Sequence, residues 1–284
     1  MRGGSIEVQG MRVRRGSFEL RVDELSVSPR EIFAIVGETG AGKTVLLEAI
    51  AGAFALESGR ILLDGKDVRC LPVQQRRMGI VYQDHALFPH MSVEDNIGYG
   101  LRMAGIPKDE AARRVAEMLE MFGIAHIAGR YPGIISGGEA QRTALARALV
   151  LQPEILLLDE PFSALDPTTK QRMYQTLRDV HGRFGCTVVF VTHDFNEACS
   201  LAQRVGIILG GALQAVCPAG ELFEREFSPQ VMRFLGRAAT EAGSEAAPCA
   251  PCGPSAAAAA RPAAKTAAEV LILANNHAEV WVPK

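Results

Sequence analysis

A glycine-rich segment, GETGAGKT at residues 37–44, follows a predicted strand and opens a predicted helix. Its spacing, G-x-x-x-x-G-K-[ST], is typical of loops whose backbone N–H groups bind nucleotide phosphates. The helix that follows adds about half a positive charge at its N-terminus. In such a loop Lys43 contacts the β- and γ-phosphates, and Thr44 offers its hydroxyl to Mg²⁺. The alternative is a tight glycine turn without a ligand. The predicted phosphate-binding residues are Gly37, Glu38, Thr39, Gly40, Ala41, Gly42, Lys43 and Thr44.

Apolar runs elsewhere in the chain also end on residues that are useful in phosphate chemistry. EIFAIV ends at Gly37, MGIVY at Gln83, EILLL at Asp159 and Glu160, and TVVFVT at His193. In open α/β sheets, ligands bind beyond the carboxyl ends of the strands. If these strands are parallel neighbours, we expect the side chains to converge on one edge of the sheet.

The two adjacent carboxylates have different predicted roles. Asp159 follows four apolar residues and can hold Mg²⁺ directly or through water. Glu160 can take the proton of an attacking water or orient that water. The alternative for this pair is two acids that cap the following helix.

A second glycine-rich stretch, ISGGEAQR, places two glycines in the first turn of a predicted helix. Ser136 and Glu139 have the S-x-x-E spacing of a capping box, which predicts a helix beginning there. Gly137 and Gly138 occupy its first turn, although each glycine costs about 1 kcal/mol relative to alanine inside a helix. The glycines either bare backbone N–H groups to an anion or allow close packing against a neighbouring helix.

Bulk composition excludes several classes of function. The net charge of −2 and the pI near 6.3 give no overall basic field, so we expect no nucleic-acid partner. No apolar run approaches the ~20 residues that span a bilayer, and the N-terminus lacks the apolar region of a signal peptide. Six scattered cysteines suit a reducing cytosol. Cys249 and Cys252 form a single C-x-x-C, which cannot complete a tetrahedral zinc site.

The order of the predicted elements indicates an α/β fold with a mainly parallel sheet covered by helices on both faces. An antiparallel β region precedes this core, and a helical subdomain is inserted at about residues 84–150. We predict one domain over residues 1–237, a flexible Ala/Pro-rich linker over 238–269 and a short C-terminal β hairpin over 270–284.

On these motifs the chain resembles the nucleotide-binding subunit of an ABC transporter, a P-loop NTPase of the ABC ATPase type. GETGAGKT is similar to the family's Walker A motif, ILLLDE to Walker B, ISGGEAQR to the LSGGQ signature and SALD at 163–166 to the D-loop. Gln83 matches the Q-loop, and His193 matches the switch histidine. The resemblance covers about residues 5–236.

The resemblance implies ATP hydrolysis with Mg²⁺. It places Glu160, His193 and Gln83 in catalysis, and Thr44, Gln83 and Asp159 at the metal. It also implies head-to-tail packing of two copies, with ATP held between Walker A of one and the signature of the other. The residues implied on the opposite side of the nucleotide are Ser136, Gly137, Gly138, Glu139 and Asp166.

Two positions depart from the family pattern. Glu139 stands where glutamine is usual, and its capping role survives the change. Arg15 stands where an aromatic residue is expected to stack on adenine. We therefore expect that the Arg15 guanidinium stacks on the base or that Phe18 substitutes for it.

The segment VYQDHALFPHMSVEDNI resembles the importers' branch, closest to subunits for molybdate, tungstate or sulfate. This implies integral-membrane permease partners, a periplasmic or extracellular solute-binding protein and a location on the cytoplasmic face of the inner membrane. Leu87, Phe88 and Pro89 are expected to receive a permease helix, unless they form an ordinary buried loop. The chain after Ala238 is too short for the C-terminal regulatory β domain of many such subunits.

Other classes remain as alternatives. The cargo of the importer could instead be iron or a polyamine. A soluble ABC ATPase usually has a long coiled coil or two cassettes, and neither pattern occurs here. A P-loop kinase would not need the signature, the D-loop or His193. A non-catalytic nucleotide sensor would not need Glu160 together with His193.

Overall fold

The computed structural model of the chain describes residues 3–163 and 165–237. The predictions for residues 238–269 and 270–284, and for the pair Cys249 and Cys252, lie outside the described residues. None of the helices in the described part combines the length and the apolarity that crossing a membrane requires.

Strands and helices follow the predicted order. The strands are β1 (Ile6–Arg15), β2 (Phe18–Val27), β3 (Ile32–Gly37), β4 (Ser58–Leu63), β5 (Lys66–Asp67), β6 (Met78–Val81), β7 (Ile155–Asp159), β8 (Thr187–Thr192), β9 (Arg204–Leu209) and β10 (Ala212–Pro218). The helices are α1 (Lys43–Ala51), α2 (Val93–Met103), α3 (Lys108–Met121), α4 (Gly137–Leu149), α5 (Pro167–Phe184), α6 (Phe195–Leu201) and α7 (Pro229–Phe234).

In the described residues the strands form one mixed sheet, in the order β5-β4-β1-β2-β10-β9-β3-β8-β7-β6. The run from β9 to β6 is parallel throughout. Every residue of β3, β7 and β8 is buried, which explains why these strands are continuously apolar rather than alternating. The predicted parallel sheet is therefore confirmed, and β3, β8, β7 and β6 are consecutive neighbours as the strand-end argument required.

The N-terminal part of the sheet is antiparallel, also as predicted. Strand β1 pairs with β2 on one side and with β4 on the other. Asp64 and Gly65 form a tight turn between β4 and β5, with φ angles of 49° and 73°. Strand β10 connects this part to the parallel strands, because it pairs with both β2 and β9.

Helices cover both faces of the sheet. Successive side chains of each strand point to opposite sides, so a buried strand contributes apolar residues to both faces. On one side, Ile32 and Ala34 of β3 share an apolar core with α2, α4 and α5. On the other side, Phe33 and Ile35 share a core with α1. Residues 84–150 include α2, α3 and α4. These helices contribute to the apolar core that contains Ile32 and Ala34.

Candidate active site

The phosphate loop connects the end of β3 to the start of α1. A Cβ atom at Gly37 would lie 2.2 Å from the carbonyl oxygen of Ile208, so no side chain fits there. Gly42 precedes α1 with a φ of 104°, and a Cβ there would lie 2.8 Å from the ring of Phe18. Glycine is thus required at both positions by close packing, and at Gly42 also by the left-handed backbone.

Lys43, the first residue of α1, folds back over this loop. Its ammonium group donates hydrogen bonds to the carbonyl oxygens of Gly37, at 3.0 Å, and Glu38, at 2.9 Å. Burial lowers the pKa of Lys43, while the nearby carboxylates of Glu160 and Asp159 oppose that change. A phosphate in the loop would add a further negative charge and favour the protonated ammonium.

Thr44 and Asp159 form a hydrogen-bonded pair of oxygen groups beside the loop. The Thr44 hydroxyl donates to Oδ2 of Asp159 at 2.9 Å, although the two residues are 115 positions apart. Burial raises the pKa of Asp159, against the lowering effect of the hydrogen bond from Thr44. A divalent cation here would favour the ionised carboxylate, and hydroxyl and carboxylate oxygens are ligands that Mg²⁺ accepts.

Glu160 lies at the meeting point of three strand ends. Gln83, after β6, donates from Nε2 to Oε2 of Glu160 at 3.4 Å. Nδ1 of His193, after β8, lies 3.5 Å from Oε1 of the same carboxylate. The backbone of Glu160 is left-handed, with φ of 45°, and its N–H donates to the carbonyl of Val191 at 3.1 Å. A strained non-glycine residue of this kind is typical of functional sites.

The structure thus places the Gln83 and His193 side chains beside the Glu160 carboxylate and brings Thr44 into contact with Asp159, as the strand-end argument predicts. These contacts concern position only. The catalytic and metal-binding roles of the individual side chains stay predictions.

The Ser136 helix start has the predicted capping box. The Ser136 hydroxyl accepts from the Glu139 N–H at 3.3 Å, and Oε2 of Glu139 accepts from the Ser136 N–H at 2.8 Å. Hydrogen bonds from Ser136 hold the pKa of Glu139 below its usual value. The box explains how the helix begins in spite of its two glycines.

The two glycines of this helix are not explained by packing within the chain. Among residues 3–163 and 165–237, a Cβ at Gly137 would meet no neighbouring heavy atom within 4 Å, and one at Gly138 would have only ordinary contacts, 3.4 Å from Leu165 and 3.8 Å from Arg142. The alternative of close helix packing therefore fails inside this chain. Among the described residues, no hydrogen bond connects Ser136 to the strand-end site.

Asp166 and Arg15 have other partners in the structure. Oδ1 of Asp166 accepts from the N–H groups of Thr168 and Thr169 at 3.0 and 3.1 Å, and so caps α5. Arg15 donates to Oε2 of Glu48 at 3.2 Å, and its guanidinium lies 4.5 Å from the ring centre of Phe54. Nucleotide contacts by Asp166 and Arg15 stay predictions.

The loop after Gln83 contains both buried and exposed apolar residues. Phe88 is buried, with its ring 4.7 Å from that of Tyr99, whereas Pro89 is exposed and Leu87 is half-buried. Phe88 therefore fits the alternative of an ordinary buried loop, because this side chain fills space inside the helical region. Docking of a permease helix at Leu87 and Pro89 stays a prediction.

Arg147 is a residue of α4 that the sequence reasoning missed. Its guanidinium donates to the carbonyl oxygens of Ala86 at 2.8 Å and His85 at 3.0 Å, and lies over the Phe88 ring. His85 and Ala86 both have left-handed backbones, so Arg147 satisfies carbonyl groups that an irregular loop would otherwise leave unpaired. Burial lowers the pKa of Arg147 to about 10. An arginine among the apolar positions of α4 was the available signal.

Comparisons with known proteins agree with this geometry. A family model described as ABC transporter matches residues 20–163. The molybdate/tungstate import ATP-binding protein WtpC of Thermococcus kodakarensis is 47% identical over 229 residues, which are 81% of this chain and 69% of that protein. The sulfate/thiosulfate import ATP-binding protein CysA of Methylococcus capsulatus is 44% identical over 237 residues, 82% of this chain and 68% of that protein.

Solved structures show the same fold. One is cbiO1 from Clostridium perfringens, described as part of the ABC transporter complex cbiONQ, with a TM-score of 0.71, 27% identity and coverage of 81% of this chain and 94% of that one. Another is a dimeric ATP-binding cassette in a post-hydrolysis state with ADP and phosphate, with a TM-score of 0.67, 26% identity and coverage of 78% of this chain and 100% of that one.

Proposed function

This chain belongs to the ABC transporter family as an ATPase subunit, and from that premise we propose that it powers the import of a molybdate, tungstate or sulfate oxyanion through a partner membrane permease. The proposal depends most on one observation. The side chains of Gln83 and His193 both lie beside the Glu160 carboxylate, at the sheet edge that holds the phosphate loop.

The residues at this edge have different proposed roles in ATP hydrolysis. Lys43 and the loop N–H groups bind the β- and γ-phosphates. Thr44, Asp159 and the Gln83 amide oxygen would hold Mg²⁺, which would offset the negative charge of the phosphates. Glu160 orients the attacking water or accepts its proton, and His193 holds the Glu160 carboxylate in place.

A second copy of the chain supplies the other half of the site. The support is the surface at Gly137, where a Cβ added to the glycine would meet no heavy atom of the neighbouring described residues within 4 Å. The helix N-terminus there suits the γ-phosphate of a nucleotide bound by the partner copy. The dimeric cassette with ADP and phosphate supports this arrangement. ATP then joins the two copies, and its hydrolysis separates them.

The cargo rests on relatives alone, since an ATPase subunit of this kind does not touch what the permease carries. WtpC and CysA are named for tetrahedral oxyanions of similar shape and charge. The proposed complex has two copies of this chain on the cytoplasmic side of two permease subunits, with a solute-binding protein on the outer side.

The decisive experiment is reconstitution with the permease encoded beside this chain and with its candidate solute-binding protein. We expect ATP hydrolysis to rise when that protein is loaded with molybdate, tungstate or sulfate, and to stay basal with the empty protein. Stimulation by ferric iron or a polyamine instead would overturn the cargo assignment. Failure to co-purify with any permease would overturn the transport function.

A further inference from the structure

Glu197 is a buried carboxylate that the mechanism above does not use. It lies on α6 and is 2% exposed. Its Oε2 accepts from the Thr192 hydroxyl at 2.5 Å, and its Oε1 accepts from the Lys170 ammonium at 2.8 Å. Buried carboxylates are rare unless they are paired, and in Glu197 each oxygen has its own partner.

The Thr192 hydroxyl fixes the backbone on both sides of His193. While it donates to Glu197, the same oxygen accepts from the N–H of Asp194 at 3.0 Å. The direction of this hydroxyl is therefore set by Glu197. Because His193 is enclosed between Thr192 and Asp194, the approach of its ring to Glu160 depends on this arrangement.

Lys170 connects the same carboxylate to the start of α5. Its backbone N–H donates to the carbonyl of Asp166 at 2.9 Å, within the first turn of that helix. Its ammonium group lies 2.8 Å from Glu197 and 4.0 Å from the Asp194 carboxylate. A continuous set of contacts thus leads from Asp166, through Lys170 and Glu197, to the residues that flank His193.

We propose that Glu197 is a positioning residue for His193, and that its ion pair with Lys170 transmits the position of the Asp166 segment to that histidine. The inference rests on the proposed function, since His193 matters only if the chain hydrolyses ATP. A buried ion pair adds little net stability compared with apolar side chains of similar volume. The ion pair instead fixes the position of the Glu197 side chain, because displacing a buried charge from its partner is energetically costly.

The test uses the full chain with its permease and measures kcat and KM for ATP. Glu197→Gln keeps the size of the side chain and an acceptor for Thr192 but removes the charge that faces Lys170. We expect kcat to fall about 10- to 100-fold, since a misplacement of about 1 Å at a catalytic group costs on the order of 100-fold. KM should stay within about twofold, because the phosphate loop does not contact Glu197. The matched control is Glu226→Gln, at an exposed carboxylate, which leaves both constants unchanged.

Lys170 provides a second test at a half-buried position, where folding is less at risk. Lys170→Met should lower kcat as Glu197→Gln does, and Lys170→Arg should restore most of it because the cation is kept. A Lys170→Met variant with wild-type kcat would overturn the proposed transmission from α5.

A double-mutant cycle separates positioning from a general structural effect. In a His193→Ala background, Glu197→Gln should change kcat by less than about twofold, because both substitutions act through the same side chain. If kcat of the double variant fell by the product of the two single-variant effects, the inference would be overturned. Wild-type kcat in Glu197→Gln would also overturn it. These results differ from a failure of the proposed function, in which the wild-type chain itself shows no ATP turnover.

Discussion

Replacing Gly137 with alanine is expected to stabilise the folded chain while it impairs ATP turnover. Within the part of the chain that the structure describes, the added Cβ meets no neighbouring heavy atom within 4 Å, so it causes no strain there. Alanine also has the better helix propensity and a less flexible unfolded state, which together contribute about 0.4–1 kcal/mol. For a chain of this size that gain raises Tm by about 1–4 °C.

The loss of activity follows from distances at the same position. An N–H group binds a phosphate oxygen at about 2.9 Å, whereas a methyl carbon requires about 3.5 Å or more. The new methyl group would therefore keep the partner copy's γ-phosphate from the bared N–H groups of Gly137 and Gly138. Loss of one such donor in a transition state costs about 100- to 1,000-fold in kcat, and we expect a loss of about 100-fold.

The matched control is Gly182→Ala on α5, where an added Cβ also meets nothing within 4 Å. This variant should raise Tm by a similar amount and leave turnover unchanged. Thermal unfolding without nucleotide and ATPase assays at saturating MgATP measure the two quantities. If both alanine variants raise Tm and both keep wild-type turnover, the Gly137 surface does not face a nucleotide and the shared site is refuted.

Three further predictions concern single side chains. Glu160→Gln should trap an ATP-bound pair of chains, seen as a doubled mass in gel filtration with ATP; turnover near the wild-type rate would remove Glu160 as the base. Phe18→Ala should weaken ATP binding about tenfold. Arg15→Ala should change ATP binding less than about twofold, because Glu48 and Phe54 already hold the Arg15 side chain. Calorimetric titration with ATP measures both affinities, and the reverse order of effects would contradict this prediction. Glu139→Ala should cost about 0.5–1 kcal/mol of unfolding free energy at pH 7. Because the folded pKa of Glu139 is lowered, this difference should shrink as the pH falls below the unfolded value of 4.5 and through the folded pKa, as urea titrations would show.

Local patterns were sufficient to identify much of the fold and the site. The phosphate loop, the capping box at Ser136 and the tight turn at Asp64 and Gly65 each follow from the conformational preferences of a few adjacent residues. Continuous apolar strands predicted a sheet buried on both faces. From that sheet, the ends of β6, β7 and β8 could be expected to bring Gln83, Glu160 and His193 together.

Other features needed information that no local pattern contains. The place of Phe88 in the core depends on its ring contacts with Tyr99 and Arg147, which no local pattern predicts. An arginine among the apolar positions of α4 is unusual, but its partners are carbonyl groups 61 and 62 positions away, which the sequence alone does not identify.

The chain's own sequence determined that it carries a phosphate loop, a helix that begins on two glycines and apolar strands that end in carboxylate, amide and imidazole groups. Only the tertiary structure decided the order of the strands, the emptiness around Gly137 and the network of Thr192, Glu197 and Lys170. The physical reason is that strand order and buried ion pairs depend on contacts between segments far apart along the chain. Helix caps and turns depend on neighbours within a few residues, so they can be read in sequence.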